Sequence, residues 1–137
     1  MTGNNHPIAL LLANADKLGR WVAGTDPETP TVAVGALGEI VASMATGVPI
    51  VSDRIWSHDL AGGERRIEVK TRTNGARVGD LSGKECEEVA RVDLCRRPDG
   101  RGGFELWLEG VRLRPHPAPP GRDAWMPIAS IEPRRLL

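Results

Sequence analysis

Between Arg65 and Thr73 the chain alternates without a break, with Ile67, Val69 and Thr71 on one side of an extended segment and Arg66, Glu68, Lys70 and Arg72 on the other. Residues two apart share a face in a strand, and a one-residue slip would exchange the apolar and charged faces. The segment is therefore expected as a strand with one face on a core. Gly62 and Gly63 precede it, and paired glycines supply the positive φ that a tight hairpin needs. Ile55 to Leu60 is the expected antiparallel partner, with the turn centred on the two glycines.

Upstream the period changes. Asn5 to Val22 presents Ile8, Leu11, Leu12, Ala15, Leu18 and Val22 at helical spacing, with Pro7 suited to the first turn and Gly24 as the stop. Val32 to Thr46 repeats the pattern, with Val34, Leu37, Val41 and Met44 as an apolar stripe and Gly47 in the terminating position. Glu39 lies off that stripe, on a flank shared with Gly35, Ala42, Ser43 and Thr46, small residues that let another element approach closely. Beyond the hairpin, Ser82 and Glu85 have capping-box spacing and predict a short helix to about Arg91, with Val89 and Ala90 inward. Val92 to Cys95 and Phe104 to Leu108 read as strands around a turn at Pro98-Asp99-Gly100. Gly100-Arg101-Gly102-Gly103 lacks the lysine and Ser/Thr of a P-loop and reads as a hairpin turn. The run His116 to Gly121 can continue neither a helix nor a central strand.

Helices and strands mixed along 137 residues predict one α/β domain over residues 1–137. Its core is expected at 32–108, with an N-terminal helix at 5–22 and a Pro-rich C-terminal extension at 115–137. Hydrophobic residues make up 40% and charged residues 26%, enough apolar material to exclude disorder on composition. No window reaches the roughly 18 apolar residues of a membrane span, and Ile8 to Leu12 lacks a signal-peptide pattern, so a soluble, cytoplasmic protein is expected. Cys86 and Cys95 are the only cysteines, with no Cys-x-x-Cys and no histidine cluster, which argues against a disulfide framework or structural zinc. The net charge is zero, so any polyanion partner must be met by local charge, and the positive stretches are 54–72 and 111–137. Fifteen of the 18 cations are Arg, a bias that suits bidentate phosphate recognition and equally suits a GC-rich genome.

The chemistry concentrates in Ser57-His58-Asp59-Leu60 and Ile67-Glu68-Val69-Lys70. With the turn centred on Gly62-Gly63, Asp59 stands opposite Arg66, shares a face with Glu68 and Lys70, and is a diagonal neighbour of Glu68. Such neighbours are roughly 7 to 8 Å apart, a span that one magnesium ion bridges with carboxylate oxygens at about 2.0 to 2.1 Å. An ammonium at Lys70 can hold a metal-bound water and favour its deprotonation. The plainer readings are an Asp59–Lys70 cross-strand ion pair of little energetic weight and a solvated Glu39.

In the order of a helix bearing Gly38-Glu39, then Asp59, then Glu68-Val69-Lys70 on a strand, the chain resembles the PD-(D/E)XK nuclease superfamily over roughly residues 32–108. The resemblance implies a restriction-endonuclease-like mixed sheet flanked by helices, Mg²⁺ as cofactor with Mn²⁺ as substitute, and DNA as substrate. It implies Asp59, Glu68 and the Val69 main-chain carbonyl as metal ligands, Lys70 as the water-positioning group, and Glu39 completing the site, in part through water. His58 stands where the family's motif has proline. Arg65, Arg66, Arg72 and Arg77 flank the motif as candidate phosphate contacts, with a solvated strand face as the other reading. His58 is a weaker candidate for a base or ligand. Trp56, Trp107 and Trp125 read as core or interface aromatics, with base stacking as the alternative.

The sequence therefore predicts a metal-dependent endodeoxyribonuclease. A non-catalytic module of the same fold, binding nucleic acid or a partner protein, is the alternative, and a metal hydrolase acting on other substrates is a third class. One site per chain predicts a homodimer for double-strand cutting, or an accessory subunit of a larger complex.

Overall fold

The computed structural model describes residues 6–51, 59–74, 85–117, 125–128 and 131–137, which form three helices and a six-stranded mixed sheet. The helix expected over 5–22 is two helices, α1 (Pro7–Ala13) and α2 (Ala15–Ala23). The break is at Asn14, which leaves helical geometry (φ −115°, ψ 16°) and donates its side-chain amide to the Leu10 carbonyl at 2.8 Å. A short amide that competes for the local ladder explains the interruption. Pro7 does open α1, and Gly24 closes α2 with φ 85°.

Helix α3 (Thr31–Thr46) begins one residue before the expected span and ends, as expected, at Gly47 in the left-handed region. Its buried residues are Ala33, Val34, Ala36, Gly38 and Ala42, whereas Met44 is 80% exposed. Of the expected stripe, Val34 is buried and Leu37 and Val41 pack on the core, so the correction falls on Met44 alone, and the small residues Gly38 and Ala42 are buried beside them. The contact with the sheet is closest at Gly38, where an added Cβ would stand inside the Thr71 side chain, 2.8 Å from its Cβ.

The strands are β1 (Leu60–Gly62), β2 (Arg65–Thr73), β3 (Glu88–Pro98), β4 (Phe104–Pro115), β5 (Met126–Pro127) and β6 (Arg134–Arg135). Their order is β1-β2-β3-β4-β5, with β6 also on β4; β2 and β3 are parallel and the other pairs antiparallel. Strand β2 has the bounds the alternation predicts. The helix expected to run to Arg91 is corrected, because Glu88 to Arg91 belong to β3, where ladder bonds to β2 and β4 override local helical propensity. Ser82 lies outside the described residues, as do Ile55 to His58.

The β3–β4 hairpin turns where expected. The Asp99 carboxylate accepts from the N–H groups of Arg101 (2.7 Å) and Gly103 (3.0 Å), while Gly100 and Gly102 take positive φ. These backbone donors hold the Asp99 carboxyl below the usual carboxylate range.

One sheet face buries Ile67, Val69, Ala90, Val92, Leu94, Leu106, Leu108 and Val111 against Leu18, Trp21 and Val22 of α2 and Val34 and Ala42 of α3. The helices thus cover this face, and the described residues form a single compact α/β domain. The opposite face carries a smaller cluster of Cys86, Val89 and Trp125. A bulge at Glu109 shifts the β3–β4 register between Asp93–Gly110 and Leu94–Leu108. Both cysteines are free thiols. Among the described residues, no helix is long and apolar enough to cross a membrane.

Candidate functional site

The register of the β1–β2 hairpin decides where Asp59 falls. Leu60 pairs with Ile67, Ala61 with Arg66 and Gly62 with Arg65, so the turn lies at Gly63-Glu64, one residue later than expected. The two glycines do different jobs. Gly63 takes φ 58°, whereas a Cβ on Gly62 would stand 2.8 Å from the Pro49 ring. The displacement moves the pairing by two residues, which keeps every side chain on its expected face and removes Asp59 from opposite Arg66.

Asp59 instead clasps β2 around Glu68. Its N–H donates to the Ile67 carbonyl at 2.9 Å, and its carboxylate accepts from the Val69 N–H at 2.8 Å. The side chains of Glu68, from β2, and Glu39, from α3, lie close enough to that carboxyl to shift its proton affinity. Of the residues the sequence nominated, Glu39 and Glu68 are the two whose side chains act on Asp59. Burial pushes the Asp59 carboxyl above the usual carboxylate range, and the Glu39 charge pushes the same way, while hydrogen bonds from Glu68 and from the Val69 N–H oppose the shift. Glu68 is buried, with 4% of its surface exposed. Beside it, burial pushes the Cys86 thiol up, with a main-chain hydrogen bond from Glu68 opposing, so Cys86 is no ready nucleophile.

Lys70 follows Glu68 by two residues on the same strand face and is half-buried. Among the described residues it makes no ion pair, so no Asp59–Lys70 salt bridge forms. Gly35, Glu39, Val69, Lys70 and Thr71 contribute to a cleft of about 190 Å³ between α3 and β2.

Carboxyl groups close together favour a shared proton or cation. Carboxyl oxygens are the donor type that hard divalent ions such as magnesium or manganese accept. Among the described residues, no group of three or more His, Cys, Asp or Glu side chains stands as a ready-formed metal cage.

The flanking arginines are engaged within the chain. Arg65 forms a bidentate pair with Glu88 (2.7 and 2.8 Å), Arg66 pairs with Glu87 (3.0 and 3.1 Å from Nε), and Arg72 with Asp93. Arg77, His58 and Trp56 lie outside the described residues. Trp107 lies under the Arg97 guanidinium at 4.2 Å, and Trp125 under those of Arg91 (5.0 Å) and Arg114 (4.5 Å).

Sequence reasoning missed Arg91, Arg112 and Arg114, which the sheet register puts on the Glu68–Lys70 face. The signal was the alternation Arg91-x-Asp93 and Arg112-x-Arg114, obscured by reading the first as a helix end. No protein-family model and no curated protein matches the chain.

Proposed function

We propose that this chain is a magnesium-dependent endonuclease of the PD-(D/E)XK kind, with a restriction-endonuclease-like fold, that hydrolyses phosphodiester bonds in DNA. The observation that carries the reading is the Asp59 carboxylate bonded to the Val69 N–H of the motif strand, with Glu68 and Lys70 on one face of that strand and Glu39 near enough to act on Asp59. A mixed sheet with Glu39 delivered by a helix packed on the motif strand agrees with that fold.

Asp59, Glu68 and the Val69 carbonyl would hold the ion, with Glu39 reaching it in part through water. When bound, the ion supplies charge neutralisation for the phosphoryl oxygens and a lowered pKa for water. The residues do the rest. Lys70 donates hydrogen bonds that orient the attacking water in line with the scissile bond, and its ammonium favours the hydroxide form. Glu39 accepts hydrogen bonds from water on the helix side. Glu68, buried on the strand, acts on the Asp59 carboxyl beside it. Arginines on the same sheet face supply the local positive charge that a neutral chain otherwise lacks.

Incubating the protein with supercoiled plasmid and Mg²⁺ tests the reading. Nicking or linearisation by the wild type is expected, with loss in Asp59→Ala, Glu68→Ala and Lys70→Ala and a milder defect in Glu39→Ala. Activity that survives loss of both Asp59 and Glu68 overturns it, and binding without cleavage leaves the non-catalytic module. Cutting both strands of a duplex calls for a second copy, and light scattering with and without DNA decides between a dimer and a subunit of a larger complex.

A further inference from the structure

The sheet face that carries Glu68 and Lys70 runs on into a cavity of about 340 Å³ whose charged rim is Arg72, Arg91, Asp93, Glu109 and Arg112. Ladder pairs Lys70–Arg91, Arg72–Asp93 and Arg91–Arg112 put these groups on one surface. The Glu109 bulge lies at the same place, and bulges re-aim side chains beside sites.

Asp93 is 8% exposed and holds two guanidinium groups at once. One oxygen accepts from Arg72 Nε, and the other from Arg91 Nε and Nη2 at 3.2 and 3.0 Å. A guanidinium has five N–H donors, so both arginines keep donors after this pairing while losing rotamer freedom. Such pre-orientation lowers the entropic cost of gripping a ligand. Arg112 is exposed and has no ion-pair partner among the described residues. Three guanidinium groups against two carboxylates leave the cavity net positive. Pro127, Ile128 and Ile131 supply an apolar part of its lining.

An anion that also carries an apolar or planar part satisfies both parts of the lining, and the planar fork of arginine matches phosphate oxygens in pairs. Arg72 follows Glu68 by four strand residues, roughly 13 Å, so a strand crossing from the carboxylate site reaches this cavity. We infer that the cavity is a nucleoside-phosphate subsite, with phosphate on Arg72, Arg91 and Arg112 and sugar or base against Pro127, Ile128 and Ile131. Its placing on a nucleic-acid strand rests on the function proposed above, whereas the anion site stands without it.

The test compares wild type with Arg112→Ala and Arg112→Lys, without divalent metal so that no cleavage intervenes. Exposed Arg112 is chosen because loss of Arg91 could unfold the chain through Asp93. The probes are deoxyadenosine 5′-monophosphate, followed by amide chemical shifts, and a fluorescein-labelled single-stranded oligonucleotide, followed by anisotropy. Arg112→Ala is expected to weaken oligonucleotide binding by roughly tenfold or more and to reduce the slope of log affinity against log salt by about 1, with Arg112→Lys between. An effect on the oligonucleotide alone assigns the site to a strand phosphate; an effect on the mononucleotide alone assigns it to a free nucleotide, and both support the subsite. Absence of binding to either probe, or binding indifferent to Arg112→Ala, overturns it. Plasmid cleavage with Mg²⁺ is read separately, so failure of the nuclease reading and failure of this subsite are distinct results.

Discussion

The Asp59 carboxylate accepts a hydrogen bond from the main-chain N–H of Val69 at 2.8 Å, which anchors the candidate site to the backbone of the motif strand rather than to a side chain. The same carboxyl feels the charge of Glu39 and is shifted above its ordinary range, chiefly because it is buried. Burial raises its proton affinity, and the bond that fixes its position opposes the rise.

That raised affinity predicts the pH dependence of stability. The ordinary value for Asp59 is 3.8 and the folded value is higher, so the folded chain binds the proton more tightly than the unfolded chain. Its contribution to stability is complete below the unfolded value and is lost as pH rises through the folded value. Asp59→Asn, which keeps an acceptor for the Val69 N–H, should be more stable than wild type at about pH 8, with the advantage vanishing towards about pH 3. Each unit of displacement is worth about 1.4 kcal/mol. Urea denaturation across this range checks the trend, and an advantage that grows on acidification contradicts it.

Magnesium should replace the missing proton. At a concentration near 100 times its dissociation constant a ligand adds about 2.7 kcal/mol, so Mg²⁺ or Mn²⁺ should raise the melting temperature of the wild type but not of Asp59→Asn or Glu68→Gln. Ca²⁺, with looser geometry, should stabilise the fold without supporting turnover. Thermal melts followed by circular dichroism, with chelator controls, make the comparison.

Gly38→Val should be among the more damaging single changes in α3. The added side chain overlaps Thr71, and overpacking of this kind costs typically about 1 to 3 kcal/mol. Thr71→Ala in the same chain should recover part of the loss. Full additivity of the two changes would show that they do not share this contact.

The salt bridges should divide by burial. In the Arg91–Asp93 pair only 11% and 12% of the side-chain surfaces are exposed, against 42% and 26% for Arg65–Glu88. Arg91→Ala leaves a buried carboxylate short of a partner and should cost about 3 kcal/mol or more, whereas Arg65→Ala should cost less than about 1 kcal/mol. Denaturant titration of the two variants measures both.

Much of the site was legible because strand alternation is a strict period. Arg65 to Thr73 was bounded by sequence, and Asp59, Glu68 and Lys70 kept their expected faces although the turn moved to Gly63-Glu64. Two adjacent glycines could not say which of them is held by Pro49. What escaped depended on partners remote in sequence. Glu88 to Arg91 reads as a helix on its own and becomes a strand only between β2 and β4. Met44 completes an apolar stripe in sequence, yet the core covers only Val34, Leu37 and Val41 of it. Asn14 interrupts a helix whose apolar spacing runs straight through it. Arg91 and Arg112 become neighbours only through the β3–β4 ladder.

The meeting of Gly38 with Thr71 has a further consequence. Most helices rest on a sheet through a cushion of interlocking side chains, whose thickness changes whenever a core residue is exchanged. Here the cushion is absent at the residue next to Glu39, and the spacing of helix and strand is a gauge set by atomic radii of the main chain and one threonine. Exchanges of Val, Leu and Ile elsewhere in the core alter what fills the interior without resetting that gauge. The separation of Glu39 from Asp59 is thus insulated from drift in the residues that stabilise the fold.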